Sequence, residues 1–164
     1  MRFLLTGADG YIGAIMGPKL IEAGHDVVGL DTGFYRRGWL FDDARVHPRV
    51  ISKDLRRIEA ADLEGFDAVV HLSELSNDPI GENDPGLTMQ INHLGSVGLA
   101  KKARDAGVKR FVYASSCSTY GAGGDEMRTE TSALAPQTAY ARCKILVEEE
   151  VRGLMDDRFT PVFM

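Results

Sequence analysis

Several features that mark other protein classes are scarce in this chain of 164 residues. Its two cysteines, Cys117 and Cys143, form neither a metal-binding pair nor a disulfide framework, which suits a reducing cytoplasm. The four histidines share no ligand spacing, so we predict no metal site. Every apolar run is far shorter than the roughly 20 residues of a membrane-spanning helix. Met1 and Arg2 lead straight into a predicted strand, so we expect no secretory leader and a cytoplasmic protein.

The composition is that of an ordinary soluble domain. Hydrophobic residues make up 44% of the chain and charged residues 26%. The net charge of −5 argues against a surface for nucleic acid or anionic membrane. The sequence contains no internal repeat, low-complexity tract or linker, and its length allows a real core. We therefore predict one domain over residues 1–164.

Short apolar runs alternate with helix-like segments. Strands are predicted at residues 3–5, 26–31, 50–55, 68–72, 110–115 and 160–164, and helices after residue 12 and at about 87–107 and 138–153. Continuous apolar strands separated by helices indicate a parallel sheet covered on both faces, here a doubly wound α/β sheet of Rossmann type with strand order 3-2-1-4-5-6. Residues 74–86 and 121–125 follow the carboxyl ends of strands and are predicted to be mobile loops that line the ligand site.

Three glycines follow the first predicted strand. Gly7, Gly10 and Gly13 are spaced three apart, with Ala8 where the commoner Gly-x-Gly-x-x-Gly motif has a glycine. Such a turn lets backbone N–H groups and a helix N-terminus approach a pyrophosphate without obstruction by side chains. The glycines alone are equally compatible with a turn that binds no ligand.

An acidic residue at the end of the second strand favours the ligand. Asp31 stands where a carboxylate can accept hydrogen bonds from the ribose hydroxyls of adenosine, and it would repel a 2′-phosphate, which favours NAD over NADP. Arg36 and Arg37 either soften that repulsion or are solvated loop charges. We therefore predict a dinucleotide site built on Asp31 and the three glycines.

Several other residues leave alternatives open. Asp54 follows the third strand and either meets the adenine amino group or caps the strand end. Tyr35 and Trp39 either pack on adenine or anchor their loop to the domain. Cys117, next to Ser116, is either a reactive thiol or a small buried residue.

A phenol and an ammonium lie four residues apart near the end of the chain. In a helix, Tyr140 and Lys144 would be neighbours on one face. A tyrosine has an ordinary pKa of about 10, so a nearby lysine and an oxidised nicotinamide would both help it act as a base. Hydroxyl residues after the fifth strand, Ser115 and Ser116 among them, would lie at the sheet edge where a reacting alcohol binds.

This set of motifs resembles the extended short-chain dehydrogenase/reductases, within them the NAD-dependent nucleotide-sugar epimerase/dehydratase branch. The resemblance runs in the right order along essentially the whole chain. It rests on the glycine turn after Thr6, Asp31, Asp54-Leu55, His71-Leu72, Asn92, Ser115-Ser116 to Tyr120-Gly121, and Tyr140-x-x-x-Lys144.

The resemblance implies a role for each matching residue. It makes Tyr140 the general base and acid, lets Lys144 hold the ribose and lower the pKa of that tyrosine, and has Ser116 bind the reacting oxygen. It implies cofactor contacts for Gly7, Gly10, Tyr11, Ile12, Gly13, Asp31, Asp54, Leu55, Leu72, Ser73, Glu74, Asn92, Ser115, Tyr140 and Lys144, with the role of Asn92 partly structural. It implies substrate contacts for Ser116, Ser118 and Tyr140. It further implies a homodimer through the helices at about 87–106 and 138–153.

Three departures from the family pattern bear on function. Small apolar residues usually follow His71-Leu72, whereas this chain has Ser73-Glu74, so an acidic group is expected near the nicotinamide. The 4,6-dehydratases carry an acidic pair where this chain has Cys117 and Ser118, which favours an epimerase or a simple reductase. The family is also longer, with a C-terminal region that grips the nucleotide-sugar. We therefore expect an epimerase-like enzyme, with a NAD-binding module without turnover as the alternative.

Overall fold

A computed structural model describes residues 1–36, 45–76, 78–122 and 127–164. Its six strands form one parallel sheet in the order β3-β2-β1-β4-β5-β6. The strands are β1 Arg2–Thr6, β2 Asp26–Asp31, β3 Arg49–Ser52, β4 Ala68–His71, β5 Arg110–Tyr113 and β6 Thr160–Phe163. The predicted fold class and strand order are confirmed.

The strand order reverses direction between β1 and β4. Chains that leave the carboxyl ends of these two strands diverge to opposite faces of the sheet, and the crevice between them is where open α/β sheets bind ligands. The glycine turn follows β1, and the segment that contains Glu74 follows β4. The fold therefore brings two separate parts of the predicted site to one crevice.

Helices connect the strands. They are α1 Gly13–Glu22, α2 Asp78–Asn83, α3 Pro85–Thr88, a π-helical segment Met89–Gly95, α4 Ser96–Asp105 and α5 Ala139–Arg152. Short 3-10 helices occupy Leu55–Arg57, Ala60–Leu63 and Cys117–Tyr120. The helix predicted at 138–153 is confirmed, with Thr138 and Gly153 as its caps.

The core lies on both faces of the sheet. Consecutive residues of β1 separate into two clusters, because side chains alternate across a strand: Leu4 packs with Val69 and Phe111, and Leu5 packs with Val70. All four residues of β4 are buried, as expected for a central strand of a parallel sheet covered by helices.

The structure corrects two predictions about the connections. The loop predicted at residues 74–86 contains α2, and the helix predicted from residue 87 begins earlier, at Pro85, where Asp84 accepts a hydrogen bond from Leu87 N as its N-cap. That helix also changes to π geometry over Met89–Gly95 before α4. Apolar spacing gave no indication of this change.

Some predictions concern residues outside the described ranges. Arg37, Trp39 and residues 123–125 of the second predicted loop fall there. In the described part of the chain, no helix is both long and apolar enough to cross a membrane. Over those same residues, no group of three or more histidine, cysteine, aspartate or glutamate side chains could hold a metal ion.

Candidate active site

The glycine turn packs too closely for side chains at two of its three glycines. Gly7 has a φ of +70°, and a Cβ there would lie 2.9 Å from the carbonyl carbon of Leu72. A Cβ on Gly13 would lie 2.0 Å from the Gly7 carbonyl oxygen. The turn begins as Gly7 N donates to Leu30 O at 2.9 Å and ends where α1 starts at Gly13. This is a cradle into which a pyrophosphate fits, because backbone and the start of a helix form it.

Asp31 joins the end of β2 to the glycine turn. Its carboxylate accepts hydrogen bonds from Asp9 N at 3.1 Å and from Gly33 N at 2.8 Å. Asp9 is itself buried, so desolvation raises the pKa of its carboxyl and the nearby Asp31 raises it further. Arg36 opposes both effects with its guanidinium 3.8 Å from the Asp9 carboxylate. The position of Asp31 is compatible with ribose binding, and Arg36 faces the same acidic pair.

Asp54 acts as a cap in this structure. Its carboxylate accepts from Arg56 N at 2.9 Å and pairs with the Arg56 guanidinium at 2.6 Å, which lowers the pKa of Asp54. The 3-10 helix Leu55–Arg57 starts at this cap, and Leu55 is buried. One of the two alternatives for Asp54 is thus realised, while adenine contacts of Asp54 and Leu55 stay predictions.

A buried hydrogen-bond network fixes the end of β4. The Thr6 hydroxyl accepts from Leu72 N at 3.1 Å and from Ser73 N at 3.2 Å, so its own proton points to His71 Nδ1 at 2.7 Å. His71 then carries its proton on Nε2, which donates to Ser96 Oγ at 2.7 Å. Burial lowers the pKa of His71 to about 3, so this imidazole is neutral at physiological pH.

Asn92 holds the segment that follows β4. It lies in the π-helical segment, fully buried, where its amide nitrogen donates to Leu75 O at 2.9 Å and its amide oxygen accepts from Leu75 N at 2.8 Å. Both backbone groups of Leu75 are thereby satisfied by one side chain. The structural part of the role expected for Asn92 is visible here, and it fixes the backbone next to Glu74.

Helix α5 carries the predicted proton-transfer pair. Its N-terminus is closed by Thr138 Oγ1, which accepts from Ala141 N at 3.1 Å, and by Glu82 from α2, which accepts from Ala139 N at 2.7 Å. Tyr140 and Lys144 lie on one face, with Lys144 Nζ 5.2 Å from the centre of the Tyr140 ring. The helical spacing predicted this juxtaposition correctly.

Lys144 is buried among groups that fix its ammonium. Nζ pairs with Glu74 Oε2 at 2.6 Å, donates to the Ala114 carbonyl oxygen, and lies 4.5 Å from the centre of the Tyr113 ring. Glu74 Oε1 in turn accepts from the Tyr113 hydroxyl at 2.5 Å. The Glu74 side chain is only 3% exposed, and this burial raises the pKa of its carboxyl against the opposing effects of Lys144 and Tyr113. The residue that departed from the family pattern thus contacts the predicted catalytic lysine.

Residues 115–120, here called the hydroxyl segment, follow β5 and pack against α5. Ser116 Oγ accepts from Ser118 N at 3.2 Å and from the Ser118 hydroxyl at 2.9 Å, so its own proton is directed to another acceptor. Ser115 donates to the Glu148 carboxylate of α5. Cys117 is exposed, so the expectation that it is a small buried residue is wrong. Cys117 is the first residue of the 3-10 helix Cys117–Tyr120, and its side chain is exposed there.

The structure brings the predicted site residues together in two groups. The glycine turn, Asp31 and Leu72 form the first, and Glu74, Lys144 and Tyr140 form the second. The contacts of Asp9 and Tyr113, and the hydrogen bonds from Thr6 through His71 to Ser96, were not predicted from the sequence. His71 belonged to a recognised motif, which was a usable signal, whereas a tyrosine inside an apolar strand gives none.

Taken together, the sheet order, the glycine turn at its crossover point and the acidic end of β2 define a Rossmann-type dinucleotide-binding domain. The chain belongs to the NAD dependent epimerase/dehydratase family, whose model matches residues 3–162. The predicted family is thereby confirmed, and NAD, the predicted cofactor, is the cofactor of that family.

The chain is similar to several characterised members. It is 30% identical to a UDP-glucose 4-epimerase of Streptomyces lividans over 157 residues, which cover 93% of this chain and 47% of that protein. A UDP-glucose-4-epimerase from Stenotrophomonas maltophila, solved with NAD and formylated UDP-arabinopyranose, is 28% identical with a TM-score of 0.85. A NAD-dependent NDP-hexosamine 5,6-dehydratase, TunA, is 25% identical with the same TM-score. Each structure matches 99% of this chain and 52% of its own. The chain spans about half the length of the curated relatives it matches.

Proposed function

We propose that this chain binds NAD and carries the proton-transfer residues of an enzyme that oxidises and reduces a sugar hydroxyl of a nucleotide-sugar. The observation that carries the proposal is the Tyr140–Lys144 pair on one face of α5, beside the hydroxyl segment that follows β5. The glycine cradle and Asp31 lie at the same edge of the sheet. The 164 residues form the NAD-binding domain of that enzyme.

The residues divide the chemistry among themselves. Ser116, whose oxygen already accepts two hydrogen bonds from Ser118, donates its proton to the reacting oxygen of the sugar. Tyr140 accepts the hydroxyl proton and later returns it, and the Lys144 ammonium stabilises the phenolate meanwhile. Bound NAD supplies the hydride acceptor and, once reduced, the donor. The cofactor contacts expected of Tyr11, Ile12, Asp54, Leu55, Leu72, Ser73, Glu74, Asn92 and Ser115 belong to this proposal.

The epimerase form of the reaction is favoured over water elimination. An eliminating enzyme needs an acid and a base beside the Ser116 position, and Cys117 and Ser118 supply no carboxyl group there. An epimerase needs only removal of hydride from the sugar carbon and its return to the other face of the keto sugar. We therefore assign epimerisation first, with simple dehydrogenation or 4,6-dehydration as the alternatives within the family.

A second candidate function is NAD binding without turnover. The matched region covers about half of each relative, so the likeness supports NAD binding more directly than turnover. Rate enhancement requires the reacting carbon to be held against both the nicotinamide and Tyr140, and tight cofactor binding alone does not supply it. A homodimer through the π-helical segment, α4 and α5, and a cytoplasmic location, stay predictions.

Product analysis separates these functions. The chain is incubated with NAD and UDP-sugars beside the Streptomyces lividans enzyme as a positive control. A new sugar without net redox change supports epimerisation, and accumulation of NADH supports a dehydrogenase. Loss of water from the sugar supports a dehydratase. NAD binding without conversion of any sugar supports the binding module.

A Tyr140→Phe variant tests the assigned base. It should reduce any conversion by roughly 100-fold or more while NAD binding persists. Unchanged conversion in that variant would contradict the role of Tyr140.

A further inference from the structure

Glu74 takes no part in the proton and hydride transfers proposed above, yet its side chain is buried beside Lys144. Its carboxylate bridges two elements, with Oε2 2.6 Å from Lys144 Nζ on α5 and Oε1 2.5 Å from the Tyr113 hydroxyl on β5. The Lys144 and Glu74 side chains are 5% and 3% exposed. Asn92 bonds both backbone groups of Leu75, the residue after Glu74, so the backbone that carries the Glu74 carboxylate is fixed as well.

The charges around Tyr140 come from several elements. The Lys144 ammonium lies 5.2 Å from the centre of the Tyr140 ring, and the Glu74 carboxylate is paired with that ammonium. Among the described residues, the titratable and charged groups about this site are Arg142, Cys143 and Lys144 of α5, Tyr113 of β5, His71 of β4, Glu82 of α2 and Glu74. Lys144 is the cation in contact with Glu74.

We propose that Glu74 is a positioning residue that anchors the Lys144 ammonium against β5 and weakens the positive charge that Lys144 presents to Tyr140. The inference rests on the proposed function in taking Tyr140 and Lys144 as the proton-transfer pair. It deepens that function by naming a third residue that controls the pair.

The physical consequence concerns the phenol of Tyr140. A positive charge within about 4–6 Å favours a phenolate, and a carboxylate paired with that charge cancels part of the effect. Glu74 therefore keeps Tyr140 protonated to a higher pH than Lys144 alone would allow. The Tyr113 hydroxyl stabilises the ionised form of Glu74 and so maintains this compensation.

A pH titration of the cofactor-free protein tests the inference. The phenolate absorbance of Tyr140 is isolated by subtracting the titration of a matched Tyr140→Phe variant from each protein. In Glu74→Gln, which keeps the side-chain shape and removes the charge, Tyr140 should ionise about one pH unit lower than in the parent. Glu74→Ala should shift the ionisation in the same direction, which provides a second variant if the first fails to fold.

Glu150→Gln is the matched control, since it removes a carboxylate from α5, the helix that carries Tyr140 and Lys144. Glu150 pairs at the surface with His93 and Lys101 and does not contact Lys144. The control should leave the ionisation of Tyr140 within a few tenths of a pH unit of the parent, because exposed charges are screened. An unchanged or higher ionisation pH in both Glu74 variants would overturn the inference, and so would an equal shift in the control.

The proposed function is judged separately on the same preparation by calorimetric titration with NAD. A parent that binds no NAD removes the proposed function and leaves the Tyr140 titration to decide the role of Glu74. A parent that binds NAD but shows no shift in the Glu74 variants removes this inference alone.

Discussion

The imidazole of His71 is hydrogen-bonded on both sides, to Thr6 and to Ser96, in the interior of the domain. Thr6 uses its remaining capacity to hold Leu72 N and Ser73 N, the first amides beyond β4. A Cβ on Gly7 would come within 3.0 Å of the Ser73 nitrogen. The hydrogen bonds of one neutral histidine therefore help to set how closely the glycine turn packs against the segment that follows β4.

His71 should make the stability of the domain depend on pH. In the folded state its pKa is lowered to about 3, whereas the unfolded chain takes up the proton near pH 6.5. Stability that is present above that pH is therefore lost as the pH falls toward 3, with a slope of at most about 1.4 kcal/mol per pH unit from this one group. His71→Gln lacks this proton uptake. The difference in free energy of unfolding between parent and variant, measured in urea, should shrink as the pH falls from 7 to about 4.

His25→Gln is the control for that experiment, because the His25 ring is partly exposed and lies tilted against the Phe3 ring. Its unfolding free energy should follow the pH profile of the parent. Parallel profiles for His71→Gln and the parent would contradict the account of a buried neutral imidazole.

Residue identities could be predicted where a local pattern carries the chemistry. The spacing of Tyr140 and Lys144 placed both on one helix face, and Asp31 was placed at the end of a strand. The partners of buried polar groups could not be predicted, because the Glu74–Lys144 contact joins residues 70 positions apart and depends on how α5 packs. The sequence marked Glu74 as unusual without indicating what it contacts.

The π-helical segment is the element that positions Asn92. A π turn widens the helix by one residue and often occurs at functional sites. Here it places Asn92 where both its amide atoms reach Leu75, and it packs against α5 and the 3-10 helix Leu55–Arg57. The segment after β4 is therefore held by a helix rather than by a turn of its own.

Asn92→Ala should lower the free energy of unfolding by about 2–3 kcal/mol, because it removes two buried hydrogen bonds and leaves the Leu75 N–H and carbonyl unpaired. Urea unfolding measures this loss, and hydrogen exchange at the Leu75 amide should accelerate. Gln90→Ala, an exposed position of the same segment, should change stability by less than about 0.5 kcal/mol. Equal effects of the two substitutions would show that Asn92 does not hold Leu75.

Most strands followed the hydrophobic pattern closely, since buried faces dictate that pattern, but β3 ends at Ser52, before the predicted end at residue 55. β2 matched its predicted bounds, and α5 lay within its predicted range. The short helix α2 was missed because its six residues contain a proline, a glycine and an asparagine, which favour turns. Tertiary contacts stabilise it, including the one from Glu82 to the start of α5.

At the scale of the whole domain, the strand order β3-β2-β1-β4-β5-β6 creates the crevice between β1 and β4, and residues from both sides line it. β1 and β2 contribute the glycine turn and Asp31, while β4 and β5 contribute Glu74 and the hydroxyl segment. α5 adds Tyr140 and Lys144 across the top of β5. The family pattern predicted this arrangement, and the account of function depends on NAD occupying it.

Calorimetric titration of the chain with NAD and NADP tests that central claim most directly. We expect NAD to bind at least about tenfold more tightly, since the Asp31 carboxylate would repel a 2′-phosphate, and Asp31→Ala to erode this preference. Equal affinity of the parent for NAD and NADP would contradict the assignment of Asp31. Failure to bind NAD at all would contradict the assignment of the glycine turn and with it the proposed function.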